Sequence, residues 1–256
     1  METVGDILAD LPPKHSPEPW KPGDDVQFHA VEQGTPEWFE ARRGLITASE
    51  MDLLFTTTRK PAENEKLRLH LFELAAQRIT GRVEPRFIGD AAIRGHVEEE
   101  QARAIYSQHI APVQQVGFIT RDFSGMFRLG YSPDGLVGDA GLIECKSRVA
   151  KYQVQTIANM DESVVIPPEY VIQLQCGLLV TGRQWIDFVS YSNGMPMIVA
   201  RVEPDTEVHA LILETAAEAE KRIAGIIERY KRALQRPYIK HAIETTWRDY
   251  GEDILA

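Results

Sequence analysis

The chain has 256 residues, 43% apolar and 26% charged, with 18 Gly and 15 Pro, which suits one large soluble domain and excludes collagen-like, disordered and disulfide-scaffold classes. A formal charge of -10 argues against a protein that coats nucleic acid through bulk electrostatics, but not against a nuclease, whose metal centre is itself a cluster of carboxylates. Two cysteines, Cys145 and Cys176, are too few for a cysteine-rich metal site, and neither a basic leader nor an apolar run near 20 residues is present, so a cytoplasmic, non-membrane protein is expected.

Residues 1–27 hold Pro12, Pro13, Pro17, Pro19 and Pro22 with little apolar periodicity and read as an extended arm. The folded domain is expected over 28–235, opening with the strand-like FHAVEQG. Thr35 can cap a helix with Pro36 in its first turn and Gly44 as its stop. LITASEMDLLF restarts an apolar pattern after Thr47 or Ser49, and TTTRKPAENE is a loop. Leu69, Leu71, Leu74, Ala75 and Ile79 recur at helical spacing before Gly81, and a further helix is expected over about 90–108. The period then shortens through VQQVGFITRD, GMFRLGYS and GLIECKSR, as in a strand meander. Helices follow at 148–158 and 168–181, the latter between Pro168 and Gly182. Asn193-Gly194, flanked by β-branched and aromatic residues, predicts a hairpin. Asp205 can cap a long helix whose stripe runs through Ile212, Ala216, Ala219, Ile223, Ile226, Tyr230 and Ala233. Trp38, Trp185 and the stripe at Tyr230 are expected in the core, and residues 236–256 form a mixed tail.

The stretch YSPDGLVGDAGLIECKS carries the chemistry. Asp134 lies in a Ser-Pro-Asp-Gly turn, and ten residues on Glu144 and Lys146 fall two apart on a predicted strand. Alternation puts that acid and amine on one face, with the Cys145 thiol on the other. Hard divalent cations take oxygen ligands, which Asp134 and Glu144 would supply, and Lys146 could orient water or offset the charge of a phosphoryl transition state. Read alone, Ser-Pro-Asp-Gly is a common turn and Glu-x-Lys a solvated face.

Together these residues resemble the PD-(D/E)xK nuclease superfamily, written here Pro133-Asp134 and Glu144-Cys145-Lys146. Val31 to Glu50, the Gly95-x-x-x-Glu99 helix and Tyr170-x-x-Gln173-x-Gln175 resemble successive motifs of the phage lambda exonuclease family, also called YqaJ-type viral recombinases, over about residues 31–234. The resemblance implies an α/β, restriction-endonuclease-like core, a small mixed β-sheet flanked by helices. It also implies a Mg2+- or Mn2+-dependent exonuclease, holding two ions, that degrades one strand of linear duplex DNA from its 5′ end. The 3′ overhang would serve phage-type recombination with a single-strand annealing protein, and the enzyme would be a homotrimeric ring.

By the same resemblance Asp134, Glu144, Glu99 and the Cys145 carbonyl match metal ligands, Lys146 the catalytic lysine and Gln173 a glutamine bordering the site. Arg42 matches the arginine that grips the terminal 5′ phosphate, with Ser49 and Ser132 as hydroxyl partners; Arg43 is an alternative occupant. The Glu98-Glu99-Glu100 triplet leaves the register one residue ambiguous, and Gly95 plus four selects Glu99. The histidines show no zinc spacing, although His96 could approach DNA or the metal shell, and no phosphate-binding loop for ATP is present. The alternatives on this scaffold are a structure- or site-specific endonuclease and a catalytically silent DNA-end-binding module.

Overall fold

A computed structural model describes residues 23–84, 89–160, 166–236, 242–243 and 245–247. Most of the proline-rich arm, and most of the tail, therefore lie outside the described residues. The first strand, β1 (Val26–His29), starts inside the segment expected as arm. Helix α1 (Pro36–Arg42) follows, capped by the Thr35 side chain on the Trp38 amide. Next come β2 (Ile46–Thr47), a 3-10 turn (Met51–Leu54) and α2 (Glu65–Thr80), which ends at Gly81 in the left-handed region at φ 69°. Helix α3 (Asp90–His109) leads into the meander β3 (Val113–Gln114), β4 (Phe118–Phe123), β5 (Phe127–Tyr131), β6 (Gly135–Val137) and β7 (Gly141–Ser147). Helices α4 (Ala150–Ala158) and α5 (Pro168–Thr181), strands β8 (Trp185–Tyr191) and β9 (Ile198–Val202), and α6 (Thr206–Leu234) complete the order.

The meander divides between two sheets rather than building one. Strands β1-β4-β5-β2 make a four-stranded sheet, and β3-β6-β7-β8-β9 a five-stranded mixed one. In the second, β7 runs antiparallel to β6 and parallel to β8, so it is central and its residues are enclosed. The larger core joins both sheets to α2, α5 and α6 through Leu71, Leu129, Leu142, Leu178, Phe188 and Ile212. A smaller core lies behind β7, where Ala102 and Tyr106 of α3 meet Ile143, Cys145 and Val189.

Several expectations need correction. The stripe of α6 is buried through Ile226, but Tyr230 is 46% exposed, because the helix outruns the core beneath it. Leu69 and Ile79 also face outward, while Leu67, Leu71, Leu74 and Ala75 turn inward. Strands β8 and β9 do form a hairpin, but with six intervening residues, 192–197. The Met195 amide closes a turn on the Ser192 carbonyl across Asn193-Gly194, with positive φ at Gly194. Trp185 is only partly buried, packed between the smaller core and Arg201, and Trp38 is half-buried beside Arg42. No described helix is long and apolar enough to cross a membrane.

Candidate nuclease site

Alternation along β7 places Leu142, Glu144 and Lys146 toward the larger core, and Ile143 and Cys145 toward the smaller one. Glu144 is buried, and both of its oxygens are engaged. Oε1 accepts from Lys146 Nζ at 2.8 Å and from Gln173 Nε2 of α5, and Oε2 accepts from the Tyr131 hydroxyl at 2.7 Å. Tyr131 is itself buried at the end of β5, so this hydrogen bond crosses from one sheet to the other. Its ring fits against Gly177, where an added Cβ would lie 2.8 Å from the ring carbon Cζ. A glycine inside a helix costs roughly 0.5–1 kcal/mol relative to alanine, which the space for the ring offsets.

Asp134 enters from the strand beside β7. The β6–β7 register pairs Gly135 with Ile143, so a longer ladder would oppose Pro133 to Cys145. Proline has no N–H to give, and the pairing stops at Gly135. The Cys145 amide instead donates to Asp134 Oδ2 at 2.5 Å, and the Pro133 carbonyl accepts from Gln33 Nε2 at 2.9 Å. A strand residue's N–H and C=O leave on the same edge, so the Cys145 carbonyl is directed to the side where Asp134 lies. Arg103 of α3 donates to the Asp134 carbonyl at 3.2 Å.

The electrostatics are those of crowded acids. Burial, then the charges of Glu144 and Glu99, push the Asp134 carboxyl well above the ordinary carboxylate range. Burial also raises Glu99, with Lys146 pulling the other way and Glu144 adding to the rise. For Lys146, burial opposes the charged form, but the Glu144 and Asp134 carboxylates outweigh it and raise the pKa, so the amine stays an ammonium. Among the described residues no three His, Cys, Asp or Glu side chains are grouped as a metal cage. The available oxygen set is Asp134, Glu144 and the Cys145 carbonyl with Glu99 nearby, which matches the habit of Mg2+ to take one or two carboxylates and keep water ligands.

The three acids of the Glu98–Glu100 triplet have different surroundings. Glu99 interacts electrostatically with Lys146 and Glu144, Glu98 accepts from the Ser147 hydroxyl, and Glu100 is exposed beside His96 at 3.5 Å. His96 lines, with Glu99 and Asp134, a cavity of about 220 Å³ between α3 and the 31–33 segment.

Arg42 and Ser49 converge with Ser132, which is 90 residues beyond Arg42. Arg42 Nη1 donates to Ser132 Oγ at 3.1 Å, and Nη2 to Thr47 Oγ1 at 3.2 Å and Ser49 Oγ at 3.3 Å. The guanidinium lies 4.3 Å from the Trp38 ring centroid, whose Nε1 donates to Ser132 Oγ at 2.9 Å. Arg43, the alternative occupant, is turned away onto the Gly81 carbonyl and Glu40. Thr47, Trp38 and the buried Tyr131 touch these site residues and were missed by sequence reasoning. Thr47 ends β2, and the turn that follows, closed by the Glu50 amide on the Thr47 carbonyl, brings the Ser49 hydroxyl back to 3.3 Å from that of Thr47.

Two solved structures of LHK-Exo, an alkaline exonuclease from Laribacter hongkongensis, are similar to this chain. One matches at 35% identity and TM-score 0.67, and the one in complex with dAMP at 34% and 0.68; each match covers 78% of this chain and 98% of the other. A phage related exonuclease from Haemophilus somnus 129PT shares the fold at 15% identity and TM-score 0.51, over 73% of this chain and 96% of its own. No curated protein matches the sequence. The motifs that converge on Asp134 lie within residues 37–184, the span matched by the YqaJ-like viral recombinase domain, and the chain belongs to that family.

Proposed function

We propose that the chain is a Mg2+- or Mn2+-dependent exonuclease that removes nucleotides from the 5′ end of one strand of linear duplex DNA and leaves a 3′ overhang. The carrying observation is that Ser132, held by Arg42, and Asp134, held by the Cys145 amide, are two residues apart in one chain segment. Their Cα atoms are therefore at most about 7 Å apart, a short reach for a strand whose end is gripped at one and cut beside the other. The similarity to the Laribacter alkaline exonuclease supports the same reading.

Asp134, Glu144 and the Cys145 carbonyl, with Glu99 beside them, would hold two ions, whose chemistry when bound is Lewis acidity and activation of water. Arg42 offers a planar fork to the terminal phosphate and Ser49 and Ser132 complete the donors around it, while Thr47, which donates to Glu50 Oε2 at 2.7 Å, steadies the guanidinium as an acceptor. Lys146, as an ammonium, donates to the charge that grows on the phosphoryl oxygens, and Gln173 holds the Glu144 carboxylate in place. A cytoplasmic ring of three copies would retain DNA without a basic surface, which suits a net charge of -10, and the overhang would pass to a single-strand annealing protein.

The test is digestion of end-labelled linear duplex, with and without 5′ phosphate, against relaxed circular duplex in Mg2+. Progressive loss of the 5′-ended strand from the linear form with the circle intact is expected. Cutting of the circle would replace this reading with an endonuclease, and end binding without hydrolysis would replace it with a silent DNA-end-binding module.

A further inference from the structure

Glu144 is reached from three directions, and only two of the donors belong to the motifs that carry the family resemblance. Lys146 and Gln173 share Oε1, whereas Oε2 is taken by Tyr131 alone among the described side-chain hydrogen bonds. The phenol has no solvent to turn to, being 1% exposed, and Gly177 leaves it a slot that a methyl group would narrow to 2.8 Å. The hydroxyl is thus aimed by the packing of its buried ring against Gly177. Tyr131 also directly precedes Ser132, so the segment that grips the DNA end is the segment that orients the acid.

We propose that Tyr131, seated by Gly177, is a positioning residue that fixes the Glu144 carboxylate for divalent-cation binding. This rests on the reading of Glu144 as a ligand. A carboxylate with one oxygen pinned by a phenol and the other by an ammonium and an amide cannot rotate about its terminal bond, so it meets the cation already oriented. Removing such supporting hydrogen bonds around metal ligands typically weakens metal affinity or activity about 10–100-fold.

The experiment compares wild type, Tyr131→Phe, Gly177→Ala and the double variant by calorimetric Mg2+ and Mn2+ titration without DNA, by thermal melting without metal, and by DNA-end binding in chelator. Tyr131→Phe should weaken ion binding about tenfold or more while end binding stays within about twofold of wild type. Gly177→Ala should weaken ion binding in the wild-type background but add less than about twofold to Tyr131→Phe, since without the hydroxyl the ring's position no longer matters to Glu144. A Tyr131→Phe protein that melts lower yet titrates like wild type would overturn the proposal. If Tyr131→Phe fails to fold, Gly177→Ala is judged by the same criterion, and failure of both to fold assigns the pair to the core alone and overturns it. A wild-type protein that takes up no ion overturns the functional reading and this proposal with it.

Discussion

Arg42, Trp38, Thr47, Ser49 and Ser132 gather hydrogen-bond donors and one positive charge, whereas a few ångströms along the same segment Asp134, Glu144 and Glu99 gather negative charge around one ammonium. The first region is partly open and its side chains satisfy one another, so a phosphate bound there as proposed would exchange partners with them. The second is largely buried and its acids repel, so burial disfavours Asp134 as an anion until compensating charge arrives. On the proposed reading one region would receive an anion, with Glu50 at its edge, and the other would need a cation.

The largest expected effect separates the two. Lys146→Ala should lower turnover about 10²–10³-fold, the scale for losing one preorganised donor, while end affinity measured in chelator stays unchanged. Retained turnover would show that the acidic region works without its ammonium.

A pH effect should touch both regions alike, because it acts on the helices behind them. Burial is the main cause that lowers the His209 pKa to about 4, and His209 lies against Gln175 of α5, the helix that carries Gln173. The folded protein then binds fewer protons than the unfolded chain between about pH 4 and 6.5, so stability falls as pH drops through that window, by about 3 kcal/mol. Acid unfolding followed by circular dichroism should be shallower for His209→Gln, and identical slopes would reject the assignment.

Arg42→Ala should act on the donor region alone. The preference for phosphorylated over unphosphorylated ends should narrow about 10–100-fold, the value of charge-assisted hydrogen bonds, without a change in the metal midpoint. An unchanged ratio would remove Arg42 from phosphate binding. The smallest effect sharpens the acidic boundary: Glu100→Gln, on the exposed face, should alter turnover less than about twofold, whereas Glu99→Gln should lower it about tenfold. Equal losses in the two digests would shift the register of the triplet.

Where local chemistry decides structure, the sequence was legible. Thr35 and Asp205 cap their helices, Gly81 and Gly182 end theirs, and the acid-x-lysine alternation on β7 places Glu144 and Lys146 together. The four-stranded sheet was not legible, because β2 is two residues long and pairs with β5 some eighty residues away, a contact that leaves no local period. Tyr131 and Trp38 were missed for another reason: an aromatic in an alternating strand or a short helix reads as packing, and only the fold reveals that its hydroxyl or indole N–H is directed at the cleft.

The proline before Asp134 matters for what it lacks. With an amide hydrogen at that position the β6–β7 hairpin could zip one rung further, tying up the Cys145 carbonyl and displacing the aspartate from its amide. Such a chain would keep all its acids and its lysine and yet have no vacancy for an ion. On the proposed reading the reactive centre would be a fault line in the main-chain ladder, and a single surplus hydrogen would be enough to heal it.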